Sequence, residues 1–176
     1  LWKMPPSGTF NLHSSLLPQY RGAAPINRVI MNGESQTGVT TFFLKHEIDT
    51  GNIIFREKVS IHPDETAGEL HDRLMQTGSE LVLKTVKAIE AGTAHAVDQE
   101  ELAISEEPLK TAPKIFSADC QLNWFLKAQQ IHNQIRGLSP FPGAFAYLED
   151  SAGSRLLMKI YRSKQSNLKA DKEPGT

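Results

Sequence analysis

Asn11-Leu-His-Ser-Ser-Leu-Leu-Pro-Gln-Tyr-Arg-Gly-Ala-Ala-Pro25 decides how the rest of the chain is read. Asn11 and His13 are two apart, and in an extended segment that spacing puts both side chains on one face. Leu12, between them, points to the other face and into a core. Small residues and two prolines follow at once. The stretch therefore reads as a strand end that delivers an amide and an imidazole to one spot, with a loop wrapped around it. Upstream, Pro5, Pro6 and Gly8 set a turn before the strand Thr9–His13. Downstream, Pro25 suits the first position of a helix, Ile26, Val29 and Ile30 recur at helical spacing, and Asn32-Gly33 stops it.

Further along, Gly38-Val-Thr-Thr-Phe-Phe-Leu44 is β-branched and aromatic, a strand. A polar loop from Lys45 to Gly51 carries Glu47 and Asp49, and a second strand runs from Ile53 to Ile61. The longest helix starts at Thr66, an N-cap with Glu69 three residues on as in a capping box. Leu70, Leu74, Leu81, Val82, Val86 and Ile89 supply its apolar face as far as Gly92. Periodicity fades over 93–113, which we take as a linker or at most an extended segment lying over the first domain. A new pattern follows: a helix over Lys127–Arg136, a break at Gly137-Leu-Ser-Pro-Phe-Pro-Gly143, and strands Ala144–Leu148 and Leu156–Tyr161 around an Asp150–Gly153 turn. Those strands are too few to close a barrel. The division is 1–92, 93–113 and 114–176.

Composition narrows the class. The 176 residues are 39% hydrophobic and 22% charged, ordinary for one core or two small ones. No apolar run reaches the ~20 residues of a membrane span, and the start lacks a signal-peptide pattern. Cys120 is the one cysteine, which rules out an internal disulfide and fits a reducing cytoplasm. The six histidines show no metal-ligand spacing, so we expect no metal site. His71 and His132 fall on helices as surface or core-edge residues, and His46 and His62 receive no role. The net charge of −1 hides an asymmetry: residues 1–107 hold 9 basic and 15 acidic side chains, residues 108–176 hold 10 and 5. A basic C-terminal part suits a polyanion, or simply reflects two different domains. The first residue is not Met and the text opens mid-pattern, so we expect a piece of a longer protein.

The chemistry on offer is specific. An Asn amide donates to an oxygen gaining negative charge, a His does so or moves a proton, and a carboxylate orients the His. Asn11, His13 and Asp49 form such a set if the Asp49 loop folds back over the Asn11 strand, as loops at the carboxyl ends of neighbouring α/β strands do. Ser14 and Ser15 lack a nucleophile elbow, so the set suits direct transfer of a small acyl group. Asn-x-His alone equally suits two side chains that satisfy backbone groups near a loop. Asp49 before Thr-Gly equally suits an Asx turn.

At these residues the chain resembles the formyltetrahydrofolate-dependent formyltransferases: Asn11-x-His13-x-Ser15-Leu-Leu-Pro18, Arg21-Gly-Ala-Ala-Pro25, then Ile48-Asp49-Thr-Gly51, with 38 residues from Asn11 to Asp49. Lys110-Thr-Ala-Pro-Lys-Ile115, Asn123-Trp124 and Ile135-Arg-Gly-Leu-Ser-Pro-Phe-Pro-Gly-Ala144 are similar to the start of the family's C-terminal domain. The resemblance implies an α/β fold, namely the C-terminal half of a Rossmann-like formyltransferase domain followed by a partial OB-like β-barrel. It implies catalytic roles for Asn11, His13 and Asp49 and folate contacts for Ser15, Leu16, Leu17 and Pro18. The implied donor is 10-formyltetrahydrofolate and the implied acceptor is the amine of methionine esterified to initiator tRNA. A cytoplasmic enzyme, monomeric at full length, without metal and without membrane contact, is expected. The family's first βαβ units are missing from this text, which puts the activity and folding of the isolated stretch in question. One alternative keeps the chemistry and changes the acceptor to a sugar nucleotide or to water. Another is a non-catalytic RNA-binding module over 114–176, although Phe141, Phe145, Tyr147 and Tyr161 alternate with apolar residues and read as core.

Overall fold

A computed structural model of the chain describes residues 3–102, 108–166 and 173–175. The elements run β1 Phe10–His13, α1 Pro25–Met31, β2 Gln36–Phe43, β3 Ile53–Ser60 and α2 Ala67–Glu90. Three helices follow, α3 Gln99–Leu102, α4 Ser117–Cys120 and α5 Ala128–Leu138, and then the hairpin β4 Ala144–Glu149 and β5 Arg155–Ile160. The class is α/β; the longer helices and the strands lie where hydrophobic spacing puts them, and the short α3 and α4 are helices that spacing did not predict.

The first sheet has the order β1-β2-β3, and both pairings are antiparallel. In β1, Asn11 lies opposite Phe42 and His13 opposite Thr40, so these four side chains share one face. The other face packs on α2. Gly78 of α2 has no side chain because Leu12 occupies its place: a Cβ there would sit 2.7 Å from Leu12 Cδ2. The buried stripe of α2 is Ala67, Leu70, Leu74, Gly78, Leu81 and Thr85. Thr85, not Val86, faces inward. Its hydroxyl bonds Thr41 of β2 at 2.8 Å and donates to the Leu81 carbonyl, which satisfies a polar atom inside the core. Val86, expected on the apolar face, is exposed.

Residues 93–113 do not hang free where they are described. Val97 bridges to Ile53 by two backbone hydrogen bonds, and Gln99 is buried. Lys110 to Ala112 zip onto the loop after β1 through Tyr20 N–Lys110 O, Ala112 N–Arg21 O and Ala24 N–Ala112 O. Gly22 makes that approach possible: its φ is +128°, and a Cβ would lie 2.4 Å from the Ala112 carbonyl oxygen.

The C-terminal residues form a second core of Cys120, Leu122, Ile135, Leu138 and Ala144. Among the described residues β4 and β5 make a two-stranded sheet and no closed barrel. Phe141 is 82% exposed and Tyr147 and Tyr161 are exposed, against the expectation of a core role. Phe145, half-buried, packs on the second core.

Helix α5 joins the two cores. Gly137 lets it meet α1, since a Cβ there would lie 2.6 Å from Met31 Cγ, and Asn27 donates to the Gly137 carbonyl. Arg136, buried, donates to the carbonyls of His62 and Glu65 and to Asn133 Oδ1. Burial pulls its guanidinium below the usual value, opposed by Asp64 and Glu65. Of the two histidines expected at the surface or core edge, His132 is buried between Asp64 and Ser163 and His71 is exposed.

Two outcomes follow. Arg136→Leu strands the buried Glu65 carbonyl and loosens the part-buried His62 one, and should cost about 1–3 kcal/mol, read as a lower urea midpoint. Glu69 closes the capping box at Thr66 and accepts from Arg162. The Thr66 backbone N–H, then Arg162, hold its carboxyl at about 2 against an ordinary 4.5. A depressed acid stabilises the fold above its unfolded value and loses that effect as pH falls through its folded one. Glu69→Gln should therefore lower the midpoint at pH 7, and the difference should shrink from pH 4.5 downward and vanish near pH 2.

Candidate active site

The candidate residues arrive from two loops and one strand. β1 ends at His13, and the chain then turns sharply through Ser14–Tyr20. Ser15 is fully buried and donates to the Gln19 carbonyl at 2.6 Å. Thr40 of β2 donates to the Ser15 carbonyl and accepts from the Leu17 amide, so one hydroxyl pins both sides of the bend. Arg56 of β3 donates to the Leu17 carbonyl. The Leu17–Pro18 peptide is cis. Leu17 is fully buried against Phe42 and Ile53, and Pro18 is buried. Leu16, half-buried, fills the space over Gly38. The four residues expected to touch folate thus form a packed bend beside the Asn11–His13 face.

The bend ends by turning the Tyr20 carbonyl back onto His13, whose Nε2 lies 2.9 Å from it. A carbonyl only accepts, so this bond places a proton on Nε2. Nδ1 is left for chemistry. It lies 3.6 Å from Asp49 Oδ2, beyond hydrogen-bond length, with both side chains largely buried.

Asp49 gets there by a route different from the one expected. Because β1 and β2 are antiparallel, the β2–β3 connection starts at the far end of β1, beside Phe10. The connection doubles back along the sheet instead of meeting a neighbouring carboxyl-end loop. Gly51 permits this by lying against β2, where a Cβ would clash with the Phe43 carbonyl oxygen. Asp49 Oδ2 accepts the Gly22 amide at 3.0 Å, so the Arg21-Gly-Ala-Ala stretch grips the carboxylate by its backbone.

Backbone strain marks the same place. Among the described residues the non-glycine positions at positive φ are Tyr20 (+60°) and Asp49 (+55°). Each such conformation costs about 1–3 kcal/mol and persists where its surroundings enforce it. Here the enforcement is the Tyr20–His13 bond on one side and the Gly22–Asp49 bond on the other.

Asn11 is exposed on the face it shares with His13, roughly 7 Å along the strand by β geometry. The fold thus brings His13 and Asp49 into one site and leaves the Asn11 amide facing outward beside them. A groove of about 680 Å³ lies elsewhere, between the start of α2 and the Ser139–Phe141 turn, and none of the three residues lines it.

Spacing did not single out Tyr20 or Gln99. Tyr20 works through its backbone carbonyl, which no side-chain pattern reveals. Its phenol is raised well above the usual value by burial and by Glu34, which also accepts from Lys110. Gln99, 1% exposed, donates to the carbonyls of Asp49 and Gly51 at 2.8 Å each, and its Oε1 accepts from Arg21 Nε and Nη2. It lies in a stretch without periodicity, 50 residues from its partner.

Comparison with known proteins bears on this geometry. The pattern of the family described as "Formyl transferase" matches residues 1–86, and that of "Formyl transferase, C-terminal domain" matches residues 114–176. The methionyl-tRNA formyltransferase of Azobacteroides pseudotrichonymphae is 50% identical over 167 residues, 95% of this chain and 52% of that protein. That of Phocaeicola vulgatus is 51% identical over 165 residues, 94% of this chain and 51% of its own length. The chain spans about half the length of the curated relatives it matches. Among solved structures, the N-formyltransferase of Helicobacter canadensis in complex with folinic acid and dTDP-3-aminofucose is similar at a TM-score of 0.65 and 26% identity, covering 80% of this chain and 55% of that one. A sugar 3N-formyl transferase crystallised with dTDP and 5-N-formyl-THF is similar at a TM-score of 0.64 and 28% identity, covering 73% and 45%. With both parts of its sequence matched and about half its residues shared with these relatives, the chain belongs to the formyl transferase family.

Proposed function

We propose that this chain is the part of a methionyl-tRNA formyltransferase that carries the reacting side chains. In this reading it transfers the formyl group of 10-formyltetrahydrofolate to the amino group of methionine on initiator tRNA. The observation that carries the proposal is His13 Nδ1 set 3.6 Å from Asp49 Oδ2, with Nε2 already committed to the Tyr20 carbonyl. The identity near 50% to relatives of that name favours tRNA over a sugar nucleotide, since the sugar-modifying structures are 26–28% identical. The basic balance of residues 108–176 is consistent with a phosphate-rich acceptor.

The chemistry is a direct transfer. The acceptor amine attacks the formyl carbon, the carbonyl electrons move to oxygen, and a tetrahedral intermediate forms. Asn11 Nδ2 stabilises that oxyanion, and His13 joins it through Nδ1 when that nitrogen carries a proton. Asp49, beside it, orients the imidazole and takes up the proton that the attacking amine sheds. Collapse restores the carbonyl, breaks the bond between the formyl carbon and N10 of the folate, and N10 leaves with the proton that Asp49 took up. Ser15, Leu16, Leu17 and Pro18 would be the folate-contacting bend, with half-buried Leu16 its open side chain and the buried Ser15, Leu17 and Pro18 fixing its shape. No step needs a metal.

The organisation belongs to the same proposal. Residues 1–92 would be the second half of a Rossmann-like catalytic domain, 93–113 the connection, and 114–176 the start of an OB-like barrel. The enzyme would be cytoplasmic and monomeric.

The test joins residues 1–176 to the remaining segments of the Phocaeicola vulgatus relative and assays formylation of methionyl-tRNA beside an aminosugar nucleotide. Transfer to methionyl-tRNA alone is expected. Asn11→Ala should lower kcat by about 10²–10³ with the protein folded, the usual loss for one oxyanion donor. Preference for the sugar nucleotide, or a loss under tenfold, would overturn the acceptor or the role respectively.

A further inference from the structure

Asp49 belongs to a connection that is strained and doubled back, and its carboxylate has one backbone donor, Gly22. What holds the backbone of that turn is a separate question. The turn exposes two carbonyls, those of Asp49 and Gly51, toward the segment that follows α2, and a single side chain meets both. Gln99 Nε2 donates to each at 2.8 Å. An amide nitrogen carries two protons, so both bonds form at once and no donor is left over. The amide oxygen is used as well, by Arg21 at 3.0 and 2.6 Å. Gln99 therefore has both ends satisfied at 1% exposure, and it could not flip its amide without facing two carbonyls with an oxygen.

The two ends reach the two loops that make the site. Through nitrogen, Gln99 fixes the turn carrying Asp49. Through oxygen, it fixes Arg21, whose neighbour Gly22 donates to the Asp49 carboxylate. We infer that Gln99 is the positioning residue for Asp49: it sets the reach of the carboxylate to His13 while touching neither substrate nor the reacting atoms. The inference rests on the formyl-transfer reading for its kinetic consequence, but its structural content does not.

A misplacement of about 1 Å in a reacting group costs about 10²-fold. In the completed enzyme described above, Gln99→Met keeps the length and apolar stem and removes the donors. Gln99→Glu keeps an acceptor for Arg21 and presents oxygen to both carbonyls. Each should lower kcat by about 10–10² with KM for the folate donor within about threefold. In an Asp49→Asn background, Gln99→Met should add under twofold, because a residue that acts through Asp49 has nothing left to position. The ring ¹³C–¹H signal of His13 should shift in Gln99→Met, and should not shift further when Asn already replaces Asp49.

Equal losses from Gln99→Met with and without Asp49 would overturn the inference, as would an unmoved His13 signal. If Gln99→Met does not fold, Gln99→Glu serves the same comparison. If the unsubstituted enzyme formylates no acceptor, the formyl-transfer reading fails, and the His13 signal still decides whether Gln99 positions Asp49.

Discussion

A carboxylate held by a backbone amide and brought up to an imidazole is the constraint on which the first half of this molecule depends. Asp49 Oδ2 takes the Gly22 N–H at 3.0 Å and faces His13 Nδ1 at 3.6 Å. To reach that point the β2–β3 connection must double back across its own sheet, and a doubled-back connection is entropically costly and sterically crowded. The crowding is resolved by leaving atoms out. Gly51 passes where a Cβ would clash with Phe43, and Gly22 passes where one would clash with Ala112. The cost of ordering is offset by many bonds of ordinary strength, each contributing about 0.5–1.5 kcal/mol net.

The bend after β1 obeys the same logic. Thr40 donates and accepts across it, Arg56 takes its Leu17 carbonyl, and Ser15 closes it internally. The Ser15 carbonyl and both backbone groups of Leu17 are bonded by β2 and β3, and the Tyr20 carbonyl at the end of the bend is aimed at His13. The imidazole is thereby held in one orientation with one nitrogen available. A rigid strand supplies His13, and a rigid bend selects which face of it works.

The second half is fastened to the first through α5 rather than through the sheet. Arg136 and Asn27 spend their donors on carbonyls of the other unit, and Gly137 removes the Cβ that would hold the helices apart. Glu69, at the start of α2, ties the end of β5 through Arg162. The hairpin β4–β5 beyond this junction keeps Phe141, Tyr147 and Tyr161 exposed.

Local chemistry was legible in the letters alone. Thr66 and Glu69 cap α2 as the capping box demands, Asp150–Gly153 turns the hairpin, and the alternation around Leu12 puts Asn11 and His13 on one face. These depend on neighbours a few residues away, and short-range periodicity records them. The Ser-Leu-Leu-Pro and Asp-Thr-Gly stretches marked the bend and the turn that come together around His13 and Asp49. What the letters left open depends on partners far along the chain. Thr85 reads as a polar interruption until Thr41 meets it, and His132 reads as a surface or core-edge residue until Asp64 and Ser163 enclose it. Gln99 lies in a stretch without pattern, because an amide that bonds backbone carbonyls 48 and 50 residues away leaves no local period. Spacing along the chain determined which side chains were available. Only the antiparallel sheet, and the connection folded back over it, decided that His13 and Asp49 would meet, because that meeting is enforced by glycine contacts and backbone bonds that no side-chain sequence pattern encodes.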